Sequence, residues 1–115
     1  MSADDELPHF NVELTRKALA DLKEIQAYIA ETLGVPGTAR HTVKKILDVA
    51  DTLSVLPHRN RTIATRTSGQ EIRLARSGSY VLLYAVEGRT VRIFSILHGT
   101  RDIQNRLGAM LESLE

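Results

Sequence analysis

From Glu71 to Asp102 apolar and polar positions alternate with a period of two, interrupted only at two short turns. Ile72 and Leu74 alternate with Arg73 and Ala75. Tyr80, Leu82, Tyr84 and Val86 share one face; Val81, Leu83 and Ala85 share the other. Val91, Ile93, Ser95 and Leu97 then oppose Arg92, Phe94, Ile96 and His98. This period, with its β-branched and aromatic content, predicts three strands. The breaks at Ser77-Gly78-Ser79 and Glu87-Gly88 suit tight hairpin turns, so the three strands should run antiparallel. The middle strand is apolar on both faces, which predicts that both are covered.

Upstream the period changes. Phe10, Val12 and Leu14 alternate with Asn11 and Glu13, a brief first strand, and Thr15 is placed to cap a helix. Ala18, Leu22, Ile25, Ile29 and Leu33 recur at helical spacing. Gly34 supplies a stop and Pro36 blocks continuation. Thr38 is the expected cap of a second helix, with Val43, Ile46, Ala50 and Leu53 as its buried stripe, Leu47 and Leu56 beside it, and Pro57 at its end. A link this short folds the two helices back on one another. Residues 58–70, HRNRTIATRTSGQ, show no convincing period and read as a loop. After the third strand Ile103, Leu107, Met110 or Leu111, and Leu114 follow helical spacing, with Gly108 weakening that helix by about 1 kcal/mol relative to alanine. The order β-α-α-β-β-β-α predicts an α+β fold: a helical hairpin packed on a small, largely antiparallel sheet. One domain is expected over residues 1–115, with 1–8 a flexible lead, 9–100 the core and 101–115 a C-terminal helix.

Composition changes this picture only in places. Of 115 residues 43% are hydrophobic and 25% charged, an ordinary globular balance that argues against disorder. No cysteine occurs, so no disulfide, thiolate ligand or thiol nucleophile is available. The start, MSADDELPHF, is not a signal peptide, and no apolar run is long enough to span a bilayer. A soluble, cytoplasmic protein is expected. Net charge is +1 but unevenly spread: residues 1–57 carry −3 and residues 58–106 carry +6. All nine basic residues of the second stretch are arginine, a side chain whose planar fork suits phosphate and carboxylate. That stretch fits a nucleic acid or an acidic protein segment, and equally a solvated arginine surface.

Candidate chemistry is sparse. His9, His41, His58 and His98 have no metal-ligand spacing, so no metal and no cofactor are expected. His98 stands where the last strand runs into Gly99. It is either a general acid or base near neutral pH or a structural histidine of that turn. Arg73 lies between Ile72 and Leu74, either at a sheet edge or aimed at an anion; Arg92 raises the same question, and Arg101 does so beside Asp102. With aromatics at 4%, few rings interleave with the arginines, which argues against single-strand nucleic-acid binding as the primary role; direct, sequence-specific nucleic-acid binding is not expected either.

Several features together resemble one family. They are the element order, the Leu56-Pro57 step, Ile72-Arg73-Leu74, Tyr80-Val81-Leu82-Leu83-Tyr84, and the run Val91-Arg92-Ile93-Phe94-Ser95-Ile96-Leu97-His98-Gly99-Thr100-Arg101-Asp102. Over roughly residues 9–107 the chain resembles the ParE branch of the RelE/ParE toxins of bacterial type II toxin–antitoxin systems. The resemblance implies a toxin neutralised by a ParD-like antitoxin, with DNA gyrase as target and no catalysis of its own. His98, Arg101 and Asp102 would then contact the target, and Arg59, Arg61, Arg73 and Arg92 the antitoxin, in a possible homo- or hetero-oligomer. RNA-cleaving relatives carry arginines on the sheet and a tyrosine or a histidine–tyrosine pair ending the last strand. Here Arg73 and His98 match, but Gly99 replaces the tyrosine. A RelE-like, ribosome-dependent messenger endoribonuclease using Arg73, Arg92 and His98 is the second reading, and a non-toxic antitoxin-binding module the third.

Overall fold

The computed structural model describes residues 7–99, together with Ile103 and Gly108. The elements are β1 (Asn11–Leu14), α1 (Arg16–Ala27), α2 (Pro36–Thr52), β2 (Thr62–Thr65), β3 (Glu71–Ser77), β4 (Tyr80–Glu87) and β5 (Thr90–His98). They form two helices packed on one five-stranded sheet of order β1-β5-β4-β3-β2. The pairs β5–β4, β4–β3 and β3–β2 are antiparallel, as their short connections dictate, while β1 is parallel to β5. A parallel pair needs a long crossover, and here the whole helical hairpin and three strands supply it. The α+β architecture expected from the pattern is the one observed, with one strand more than expected.

That strand is β2. It arises inside the stretch read as a loop: Thr62, Ala64 and Thr65 pair with Arg73, Ile72 and Glu71 across an irregular register. Four residues with one irregularity leave no period to detect. A 3-10 turn, Pro57–Arg59, overlaps the start of the stretch.

Thr15 caps α1 as expected, its hydroxyl accepting from the Ala18 N–H at 3.2 Å. The α1 rod then continues as a π-helical turn, Tyr28–Thr32. There the Leu33 N–H reaches back five residues to the Tyr28 carbonyl at 3.1 Å. The extra residue in that turn breaks the helical register. Leu22 and Ile29 are buried, but Leu33, expected on the same stripe, is 56% exposed. Gly34 ends the rod in the left-handed region at φ 71°, which a residue without Cβ adopts freely.

Pro36, not Thr38, opens α2, with Val35 in the cap position and no side-chain cap. Proline has no N–H to orphan and its fixed φ suits the first helical position. The helix ends at Thr52, before Pro57, because the guanidinium of Arg59 caps it. That guanidinium donates to the Thr52, Val55 and Leu56 carbonyls at 3.1, 2.7 and 3.4 Å. Ile46, Ala50 and Leu53 are buried and Val43 half-buried, while Leu47 and Leu56 lie exposed. Leu56 sits in the left-handed region at φ 51°, which turns its side chain away from the α2 stripe.

The sheet is covered on both faces, as the doubly apolar β4 requires. Leu82, Tyr84, Val91, Ile93 and Ile96 pack under Ala18, Leu22, Ile46, Ala50 and Leu53 of the hairpin. Ile72, Val81, Leu83, Ala85, Phe94 and Leu97 form a second cluster on the other face with Ile103. Ile103 and Gly108 are each helical; the other residues of the expected C-terminal helix, and residues 1–6 of the lead, lie outside the described residues. The strict alternation read along β5 fails at one point. Tyr84 pairs with Ile93 but Leu83 with Ser95, so Phe94 is an extra residue in β5. This bulge turns Ile96 to the hairpin face beside Ile93, and Leu97 to the far face beside Phe94.

Asp21 meets β5 just past the bulge. Its carboxylate, nearly buried on α1, accepts from the Ser95 hydroxyl and the Ile96 N–H, both at 3.0 Å, and from Lys17. We expect Asp21→Ala to strand both buried donors and to lower stability by about 2–4 kcal/mol in urea unfolding. Leu53→Ala, at a fully buried site, should cost about 2–5 kcal/mol; exposed Leu47→Ala, tested in parallel, should change stability by less than about 1 kcal/mol.

Candidate functional site

Three of the candidate arginines are engaged inside the fold. Arg59 caps α2 and also donates to Thr52 Oγ1 at 2.8 Å. Arg73 points toward the hairpin face and bridges the turn after α2. It donates to the His58 carbonyl at 3.1 Å, the Asn60 carbonyl at 2.5 Å and the Glu71 carboxylate at 2.8 Å. Tyr84 completes the clamp: its hydroxyl donates to the Pro57 carbonyl at 2.7 Å and accepts from the Asn60 amide at 3.1 Å. Arg92 lies on the other face, between Glu87 at 3.1 Å and Glu13 at 3.6 Å. Arg61 is exposed and forms no hydrogen bond or ion pair among the described residues. Arg101 and Asp102 lie outside the described residues.

His98 is exposed at the end of β5, level with Tyr80 of β4. The two rings meet edge to face with centroids 5.0 Å apart, and the imidazole has no hydrogen-bond partner among the described residues. Gly99 turns the chain at φ 68°, its N–H donating to the Ser79 carbonyl at 2.5 Å. Only a residue free of a Cβ takes that turn without strain.

Arg73, Arg92 and His98 are therefore not assembled into one site. His98 is six positions along β5 from Arg92, roughly 20 Å of strand, and Arg73 is roughly 16 Å from His98 across two strands. Arg73 and Arg92 also face opposite sides of the sheet, since their register partners Tyr84 and Ala85 belong to opposite cores.

His98 instead belongs to a groove of about 670 Å³ between the hairpin and the end of β5, lined by Glu24, Tyr28, Leu33, Tyr80 and Ile96 among others. Sequence reading singled out His98 but neither the groove nor Asp21 at its floor. The signal for Asp21 was present: an acid three positions after Ala18 and beside Leu22, on the apolar stripe of α1. Burial, reinforced by the nearby Tyr28, holds the Tyr80 phenol above the usual phenol range. Burial likewise raises Tyr84, against the smaller lowering effects of Asn60, Arg59 and Arg73.

The family model for the ParE toxin of type II toxin–antitoxin systems, parDE, matches residues 12–103, and the chain belongs to that family. Solved structures with the same fold include the chromosomal ParDE toxin–antitoxin system of P. aeruginosa. It is 21% identical, covers 80% of this chain and 98% of that one, and has a TM-score of 0.66. The RelBE2 toxin–antitoxin complex of Mycobacterium tuberculosis is 25% identical over 78% of this chain and 91% of its own, at 0.56. The archaeal RelE–RelB complex of Pyrococcus horikoshii is 16% identical over 81% and 98%, at 0.57. No curated protein sequence matches the chain. No helix among the described residues is long and apolar enough to cross a membrane.

Two outcomes follow from the clamp. Arg73→Lys should not replace arginine, because one ammonium cannot reproduce the fork that reaches two carbonyls and a carboxylate; both Arg73→Lys and Arg73→Ala should lower the urea midpoint. The raised phenols favour the neutral form in the folded state. Their contribution is complete below the ordinary phenol pKa near 10 and is lost as pH rises through the raised values. Unfolding followed from pH 9 to 12 should show falling stability, with a shallower fall in Tyr84→Phe.

Proposed function

We propose that this family member is an active toxin that inhibits DNA gyrase in the cytoplasm and is neutralised by a ParD-like antitoxin. The observation that carries the choice of target is the separation of Arg73, Arg92 and His98. Cleaving RNA through its 2′-hydroxyl needs a base, a phosphate clamp and an acid on the leaving oxygen within reach of one phosphate. Arg73 is held by two carbonyls and a carboxylate, and Arg92 by two carboxylates. A toxin that acts by contact needs no such assembly. His98, with Arg101 and Asp102 just beyond it, forms the proposed gyrase-contacting end of β5. The arginine-rich half of the chain steers an acidic antitoxin segment. Arg61 is the member of the proposed set Arg59, Arg61, Arg73 and Arg92 that is free among the described residues to do so.

A RelE-like ribonuclease is the second reading, favoured by the fold shared with the two RelE–RelB complexes and by the exposed His98.

Inducible expression with DNA supercoiling and translation followed in parallel separates them. We expect growth arrest with loss of gyrase supercoiling. His98→Gln, which cannot titrate, should keep most of the toxicity, and Arg101→Glu should remove it. A positioned proton donor or acceptor is worth about 10²–10⁴ in rate, so loss of toxicity in His98→Gln, with cleavage of ribosome-bound message by the parent protein, would overturn this reading.

A further inference from the structure

The outer edge of β5 is covered in two different ways along its length. β1 pairs only with Thr90–Ile93. The chain then leaves the sheet for α1, and two side chains take over the next outward groups. The Thr15 hydroxyl donates to the Phe94 carbonyl at 3.2 Å, and Asp21 accepts from the Ile96 N–H at 3.0 Å. Beyond them the substitution stops. Since the Ile96 N–H points away from β4, alternation along the strand sends the Ile96 carbonyl and the His98 N–H the same way. Neither has a partner among the described residues. These open groups form one wall of the groove.

The other wall is apolar and exposed, with Tyr28 at 55%, Leu33 at 56% and Val35 at 41%. Its charge is the reverse of the arginine-rich half of the sequence. The carboxylates lining the groove are Asp21 and Glu24, and the aromatic rings are Tyr28, Tyr80 and His98; no lysine or arginine lines it among the described residues. Asp21 is spent on β5 and Lys17. Glu24 is exposed and makes no ion pair among the described residues. A carboxylate beside phenol rings, whose faces are electron-rich, is an environment for a cation. An open strand edge is a template for an extended backbone.

We propose that this groove takes an extended, apolar segment of the antitoxin that adds as a strand to the Ile96–His98 edge and places an arginine or lysine between Glu24 and the rings of Tyr28 and Tyr80. The inference rests on the reading of the chain as an antitoxin-neutralised toxin and names the chemistry of the segment that docks. The same strand would lie against His98, so its binding and target contact at the end of β5 exclude one another. Acidic antitoxin residues are drawn in by the arginine-rich half, but the residue seated in the groove is basic.

The test uses the full chain, isotope-labelled, with three blocked hexapeptides: Thr-Val-Arg-Ile-Thr-Val and its forms with glutamine or glutamate in place of arginine. We expect the arginine peptide to bind at least tenfold more tightly than the glutamate peptide, with the glutamine peptide between. The largest amide shifts should fall at Ile96, His98 and Gly99. Glu24→Gln should cut the arginine-to-glutamate ratio at least threefold, and Asp51→Asn, at an exposed carboxylate outside the groove, should leave it unchanged. Equal binding of the three peptides, absence of binding at millimolar concentration, or shifts centred elsewhere would overturn the proposal. So would concentration-dependent shifts of the same amides without peptide, which would make a second copy of the chain the occupant. Growth arrest is read separately. A toxic chain without peptide selectivity removes this inference and leaves the toxin reading, whereas a selective chain that arrests nothing removes the toxin reading and leaves the chemistry of the groove.

Discussion

The buried carboxylate of Asp21 is the interaction on which the arrangement of the molecule turns. Past the bulge at Phe94, two donors of β5, the Ser95 hydroxyl and the Ile96 N–H, lie beyond the end of β1 on the side of α1. Without a partner each would cost the desolvation of a buried polar group. Asp21 meets both, and Lys17 balances its charge. One side chain therefore fixes the position of α1 over the sheet and lets β1 stop at Leu14. It also sets where the protected part of the β5 edge ends and the open part begins.

A second set of polar contacts holds the turn between α2 and β2. Tyr84, buried in the centre of the sheet, reaches the Pro57 carbonyl, Arg73 reaches the next two free carbonyls, and Arg59 closes the end of α2. These three side chains satisfy backbone groups that a chain leaving a helix would otherwise orphan. They explain why an arginine in mid-strand is not evidence for an anion site. A guanidinium has five donors, and a tight turn beside a sheet presents enough carbonyls to use most of them. The arginine excess of the second half is consequently smaller as a binding surface than its count suggests.

Charge by segment and charge by site thus diverge. Residues 58–106 are strongly basic as sequence, yet the groove at the end of β5 is lined by carboxylates and aromatic rings. The acids come from α1, more than fifty residues upstream of the strand they face, so no window of sequence contains both walls.

What the sequence determined by itself is what depends on local spacing. Period two gave β3, β4 and β5 and their hairpin turns, helical period gave the two rods, and the apolar β4 announced a sheet covered on both sides. The family resemblance rested on the same runs, and the family match bears it out. His98 was found because it closes a strand before a glycine. Tertiary structure decided the rest, for one physical reason: polar groups in this fold are satisfied at long range. β2 exists because β3 offers it a ladder, not because its four residues have a pattern. The Ile96 N–H, left without a strand partner where β1 ends, is met by Asp21, 75 residues away. Arg73 and Arg92 face opposite sides because the register with β4 puts them there. The groove exists because β1 ends four residues into β5, and that pairing could be seen only once the two strands lay side by side.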